Sequence, residues 1–263
     1  MTRLFPISVG CLAALSASAA WAQNGAFQTD EAGARAREAA AAAKSAALVA
    51  ADRQHPRIGG VWEPEKSVQA LLTIDGKSPQ LTAAGKQLYN PRAAAIRAKK
   101  SDDPLDVCLP AGTPRDMLSP EPFLIVQTPA KITMFHQYRH LMRHVFLKGP
   151  LKLDDPDPWW QGHWSGYWDG DALVIETGYF NGREWLDSTG LPQSPDMRVT
   201  ERFKLTGPDT LEDLITINDA TYYTAPWTAR VTFKRLPEDT RLLQQECGEK
   251  LLEFPLKPYA PGD

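Results

Sequence analysis

The chain has 263 residues, 29 Lys+Arg against 32 Asp+Glu for a formal net charge of −3, 43% hydrophobic residues and 3 Cys. That apolar fraction excludes a disordered chain, and the near-balanced charge argues against whole-chain electrostatic binding to nucleic acid or an anionic membrane. Three cysteines are too few for a disulfide-dense mini-scaffold, and the length fits one large domain or two small ones.

Residues 1–22 read as a secretory signal peptide. Met1-Thr2-Arg3 supplies a positive start, Leu4 to Ala17 a largely apolar core, and Ala20-Trp21-Ala22 a small-x-small cleavage site. The segment is too short and wrongly flanked for a membrane span, so cleavage before Gln23 and a periplasmic or secreted mature chain are expected. A lipoprotein signal at Cys11 fits less well, because Ser8-Val9-Gly10-Cys11 lies mid-core. Export leaves Cys108 and Cys247 in an oxidising compartment, where a lone pair is expected to form a disulfide. The alternative is a reactive thiol.

Residues 23–57 form an extension. Asp30 to Asp52 is rich in alanine, the best helix former, and lacks aromatic residues, so a peripheral, solvated helix is expected. Residues 58–263 are expected to form a single β-rich domain. It opens at Gly59-Gly60-Val61-Trp62, with a strand near Val61. A helix is expected over Thr82–Lys100, capped by Thr82 and interrupted at Pro91. Ser101–Pro120, with four prolines, reads as a loop.

From Phe123 onward the hydrophobic period is near two. Strands are expected over Phe123–Thr128, Ile132–Gln137, Leu141–Leu147, His163–Trp168, Leu173–Thr177, Met197–Leu205, Leu211–Ile217, Thr228–Arg235 and Leu242–Cys247. Asp169-Gly170 is a tight-hairpin signal, and Tyr138–His140 is the expected tip between the second and third of these strands. No strand–helix alternation follows residue 120. The fold class is therefore mainly β: an antiparallel lipocalin-like barrel or strongly curved sheet with an N-terminal helical extension. A β-sandwich is the alternative.

Charges on apolar strand faces are the informative ones. Met197, Val199, Glu201, Phe203 and Leu205 share a face, as do Leu211, Asp213, Ile215 and Ile217. Matching the two faces places Asp213 opposite Glu201 or one diagonal step away, roughly 5 Å or somewhat more. Two close carboxyls in a dry site do not both ionise, which yields a candidate acid–base group. The structural alternative is a salt bridge to an inward arginine such as Arg143. His136 shares the apolar face of Ile132 and Met134 and is a candidate proton donor or acceptor, with a satisfied core histidine as the alternative.

Other constellations are weaker. His136 and His140 spread roughly 13 Å along a strand, so no metal site is expected from them. The spacing Gly162-x-x-Ser165-Gly166 is not a nucleophile elbow, and a hairpin follows it rather than a helix. Asp154, Asp155 and Asp157 lack the calcium-loop pattern. Phosphate-binding glycine loops are missing, so no cofactor is expected. Trp159, Trp160, Trp164, Trp168, Trp185 and Trp227 crowd the β-rich half and suggest a pocket for an apolar or aromatic ligand.

Several segments together carry a resemblance. They are Cys108-Leu109-Pro110-Ala111-Gly112-Thr113-Pro114-Arg115, Gln127-Thr128-Pro129, Gly166-Tyr167-Trp168-Asp169-Gly170-Asp171-Ala172-Leu173-Val174, Phe180-Asn181, Trp185-Leu186-Asp187, Glu201-Arg202-Phe203 and Pro226-Trp227-Thr228. Over about residues 58–250 the chain resembles an uncharacterised family of exported bacterial β-rich proteins. The resemblance implies a secreted β-rich domain and says nothing of substrate. The chain departs from that pattern at His136–Gln137, His144 and Asp213, which marks these positions for specialised chemistry.

The leading expectation is an exported, cofactor-independent enzyme of lyase, hydratase or isomerase type. It would act on a small apolar or aromatic molecule. His136, Glu201 and Asp213 would exchange protons, and Tyr138, Arg143, His163, Trp168 and Trp185 would bind substrate. The rival is a non-catalytic lipocalin-like protein holding a hydrophobic ligand in the same interior. A third reading is an envelope structural protein using the Ala-rich arm.

Overall fold

The computed structural model describes residues 31–244 and divides the chain into two units, residues 1–47 and 48–263. The expected signal peptide and Cys247 lie outside the described residues. The first unit holds most of helix α1 (Glu31–Asp52), in which Ala34–Ala47 are all exposed. Its alanines supply helix propensity without an apolar face to bury.

The second unit is mainly β. Its nine strands are β1 (Gly60–Pro64), β2 (Phe123–Gln127), β3 (Lys131–His136), β4 (Met142–Phe146), β5 (His163–Asp169), β6 (Ala172–Gly178), β7 (Arg198–Gly207), β8 (Thr210–Asn218) and β9 (Trp227–Arg235). They form one antiparallel sheet in the order β4-β3-β2-β1-β9-β8-β7-β6-β5, curled into a nearly closed barrel. The first strand pairs with both β2 and β9, so it joins the two hairpin runs.

An odd number of antiparallel strands leaves the two edge strands, β4 and β5, running in the same direction. No antiparallel ladder joins them. A single parallel bridge links Leu147 and Gly166, and Gly149 N–H donates to Gly166 O at 3.1 Å. Side chains complete the seam: Ser165 Oγ donates to Gly149 O at 2.7 Å, and Trp164 Nε1 donates to His144 O. Gly166 permits the approach, because a Cβ there would lie 2.8 Å from Val145 Cγ1.

Alternation sends Phe123, Ile125, Ile132, Met134, Val145, Leu173, Ile175, Val199, Phe203, Leu211, Ile215, Val231 and Phe233 into one core around Trp62. The expected strand near Val61 and the next eight expected strands match β1–β9 to within about two residues. The β5–β6 loop is Gly170-Asp171, one residue later than expected, with Gly170 at φ +63° as a two-residue turn requires. Leu242–Gln244 form no strand, and the rest of that expected strand lies outside the described residues.

Two expectations are corrected. Helix α2 (Ala83–Arg97) is capped by Thr82, whose hydroxyl accepts from Gly85 N–H at 3.1 Å, but it runs through Pro91 without interruption. Contacts on either side of the proline hold it: Gly85 abuts Tyr222, and Arg92 lies 5.1 Å over the Trp185 ring. The segment Ser101–Pro120 is also more than a surface loop. It contains two short 3-10 turns, Pro104–Val107 and Arg115–Leu118, and all four residues of the second are buried.

Candidate functional site

The inward faces of four strands bring polar groups to one place. Arg143 on β4, Glu201 on β7 and Asp213 on β8 have no exposed surface, and His136 on β3 is 4% exposed. Glu201 pairs across the ladder with Ile215, and Asp213 with Phe203, so the two carboxyls stand one diagonal step apart on the same face. Arg143 grips Glu201 with both guanidinium nitrogens. Nη1 reaches Oε1 at 3.0 Å, and Nη2 pairs with Oε2. This fork is the salt bridge that the inward-facing Arg143 offered as the structural reading of the carboxylates.

Two further carboxyls come from loops. Asp116, on the second 3-10 turn, places Oδ2 3.8 Å from His136 Nε2 and 3.9 Å from Arg143 Nη1. Glu184, between β6 and β7, is buried against Gly112, where an added Cβ would meet Glu184 Oε2 at 1.4 Å. Neither residue carried a signal in the sequence, because neither belongs to a periodic segment. Beside them, Arg115 forms a buried bidentate pair with Asp103, with Nη1 2.8 Å from Oδ1.

Other buried carboxylates separate by their partners. Asp187 accepts from Leu71 N–H at 2.8 Å and Thr189 N–H at 2.9 Å. Asp219 accepts from Ser194 N–H at 2.8 Å and Thr221 N–H at 3.1 Å. These two pin loops. Asp116, Asp213 and Glu184 differ: none of their six oxygens accepts a hydrogen bond of good geometry among the described residues, although the backbone N–H groups of Met117, Arg202 and Gly112 lie near enough to favour their charged forms, and His136 Nε2 and Arg143 Nε are likewise unpartnered. Orphaned buried polar atoms concentrated in one spot are uncommon and call for a functional or structural account.

Burial sets the protonation pattern. It pushes Asp116 up to about 6 against the pull of Arg143, and Glu184, with Asp116 nearby, up to about 9. Burial, then the neighbouring Glu201 carboxylate, holds Asp213 well above the usual carboxylate range. Burial also holds Glu201 above its ordinary value, although Arg143 pulls it back down through the fork. Burial and Arg143 push His136 down to about 3, so its imidazole is neutral at ordinary pH. Burial opposes the charge on Arg143, but Glu201 and Asp116 more than offset it. Burial thus favours the neutral forms of Asp213, Glu184 and His136, while Arg143 sits against both Glu201 and Asp116.

His136, though buried, borders a groove at the barrel surface. The groove, of about 300 Å³, is also lined by Phe135, His140, Leu141, Leu242 and Leu243, among others. Of the three expected acid–base residues it alone lines this groove, whereas Glu201 and Asp213 lie fully within the barrel.

Arg143 joins the cluster, but the other expected binding residues make their recorded contacts elsewhere. Tyr138 sits half-buried in the β3–β4 tip, 5.0 Å under the Arg139 guanidinium. His163 points outward, with Nε2 2.7 Å from Asp157 O, because it has the parity of Ser165 and Tyr167 rather than that of the inward Trp164 and Trp168. Trp168 stacks on His55 at 4.7 Å, and Trp185 packs under Arg92. The tryptophans therefore do not gather into one pocket; Trp159 is 61% exposed while Trp185 is buried. Among the described residues no group of three or more His, Cys, Asp or Glu is arranged to hold a metal ion, and no helix is long and apolar enough to cross a membrane.

No family model matches the chain, and no curated protein matches it significantly.

Proposed function

We propose that this chain is an exported, cofactor-independent acid–base enzyme of lyase, hydratase or isomerase type that takes a small apolar or aromatic molecule in the groove beside His136. One observation carries the reading: His136 lines the groove while its Nε2 stands 3.8 Å from Asp116 in the sealed cluster. Burial pushes Asp116 up to about 6 against Arg143, toward the operating range of a general base. Neutral His136 stands between that carboxylate and the groove, 3.8 Å from it, and would carry the proton once substrate binding closes that gap. Asp213, which burial and Glu201 hold well above the usual carboxylate range, is a further candidate proton carrier, and the Arg143–Glu201 pair lies beside it. The apolar groove wall, with Phe135, Leu141, Leu242 and Leu243, fits a substrate of low polarity. In this reading the chain works outside the cytoplasm, with Cys108 bridged to Cys247.

Proton transfer is testable before the net reaction is known. The full chain is incubated in D₂O with small aromatic and α,β-unsaturated carbonyl compounds, and deuterium uptake at carbon is followed by mass spectrometry. Uptake that disappears in His136→Gln and falls in Asp116→Asn is expected. Equal uptake with the wild type and with His136→Gln/Asp116→Asn/Asp213→Asn overturns the assignment.

The complete burial of Arg143, Glu201 and Asp213 favours a second reading, a binding barrel without turnover. It predicts saturable ligand binding in the groove with no isotope exchange.

A further inference from the structure

The outer face of β2–β4 is apolar where a barrel wall facing water is ordinarily polar. Leu124 and Val126 on β2, Thr133 and Phe135 on β3, and Met142, His144 and Phe146 on β4 have the outward parity. The register aligns Leu124, Phe135 and Met142 as one cross-strand row and Val126, Thr133 and His144 as the next, with Phe146 opposite Lys131. Four of these side chains stand substantially open: Val126 at 39%, Phe135 at 37%, Met142 at 41% and Phe146 at 49%. Side chains this large on three adjacent strands make a patch rather than scattered exposure.

Charge on the same segment is one-sided. Residues 122–150 contain no Asp or Glu but four Lys/Arg (Lys131, Arg139, Arg143 and Lys148) and three His, within a chain whose net charge is −3. Arg143 faces inward and is neutralised by Glu201. The other three remain outside. Lys148 Nζ lies 5.0 Å over the Phe146 ring and Lys131 stands opposite Phe146 across the ladder, whereas Arg139 is spent on the backbone carbonyls of Leu105 and Leu109. None of the three forms a salt bridge among the described residues.

We propose that this face is a docking surface for an anionic lipid bilayer. Phe135, Met142 and Phe146 would enter the headgroup region, while Lys131 and Lys148 meet lipid phosphates. Apolar rings combined with flanking cations are what an interfacial site needs, since each cation near an anionic leaflet adds attraction and the apolar side chains add burial. A second copy of the chain fits less well, because a symmetric contact would set these cations against one another. The face shares Phe135 with the wall of the groove, but the inference needs no reaction there, and its tests act on Lys131, Lys148, Met142 and Phe146, outside that wall.

Flotation of the full chain with vesicles tests it, using phosphatidylcholine alone and phosphatidylcholine with 30% phosphatidylglycerol. Binding to the anionic vesicles, weakened at 0.5 M salt, is expected. Lys131→Glu/Lys148→Glu should weaken it at least tenfold, and Phe146→Ser/Met142→Ser should weaken it with the salt dependence retained. Circular dichroism melts establish that both variants fold. Absence of binding to anionic vesicles, or equal binding by the wild type and the charge-reversed variant, overturns the proposal. So does a salt-insensitive dimer in analytical ultracentrifugation that Phe146→Ser/Met142→Ser dissociates.

Discussion

Replacing Glu184 by Gln keeps the side-chain volume and removes a titrating group from the cluster. In the folded chain burial, reinforced by Asp116 and countered by Arg115, pushes this carboxyl to about 9, against an ordinary value of 4.5. Between those two values the native state keeps a proton that the unfolded chain has released. Wild-type stability therefore falls as pH rises across this window, by about 1.4 kcal/mol per pH unit on account of Glu184 alone. Glutamine carries no such linkage. Urea unfolding of both proteins at pH 5, 6 and 7 should show the stability of Glu184→Gln, relative to wild type, growing by about 2.7 kcal/mol over those two units. A constant offset from the new amide does not affect this slope. Parallel pH curves would refute the reasoning, since they would mean that Glu184 ionises as readily in the folded chain as in the unfolded one.

Two more predictions concern the framework. Arg143→Met alone leaves Glu201, Asp116 and Asp213 without their nearest cation and should cost about 3–5 kcal/mol, while Arg143→Met/Glu201→Leu should recover most of it; urea unfolding of both measures this, and a double variant no more stable than the single contradicts the pairing. Alkylation of the unreduced exported protein should label neither Cys108 nor Cys247, and reduction should cost up to roughly 4–5 kcal/mol for so long a loop. Two labelled thiols dispose of the bridge.

The strands were legible because alternation is a local signal. Val199, Glu201 and Phe203 on one side of β7, and Arg198, Thr200 and Arg202 on the other, display the barrel wall in the primary structure. The same alternation exposes Glu201, Asp213 and His136 as polar intruders on an apolar face, and it aligns the first two correctly across a hairpin. It is silent about Asp116 and Glu184, since loops have no period and their burial depends on what folds over the barrel end. Trp168 and Trp185 mislead for the opposite reason. Their composition suggests a pocket, but position on the barrel decides their neighbours, His55 and Arg92. Pro91 shows local propensity yielding to contacts made by Arg92 and Gly85.

The outer face of β2–β4 shows how an average hides a contrast. A net charge of −3 describes the chain as a whole, but a surface is met one face at a time.

The β4–β5 seam has a consequence for traffic into the barrel. Every other pair of neighbouring strands is zipped by a ladder of backbone hydrogen bonds. Here one bridge and a few side-chain bonds do the joining, and the strand on one side carries Arg143. The wall is thus built with a door jamb rather than a weld. Parting it exposes the arginine and the buried acids while the remaining eight ladders stay intact. Backbone amides of β4 and β5 that face the seam should therefore exchange faster than those held in the eight ladders.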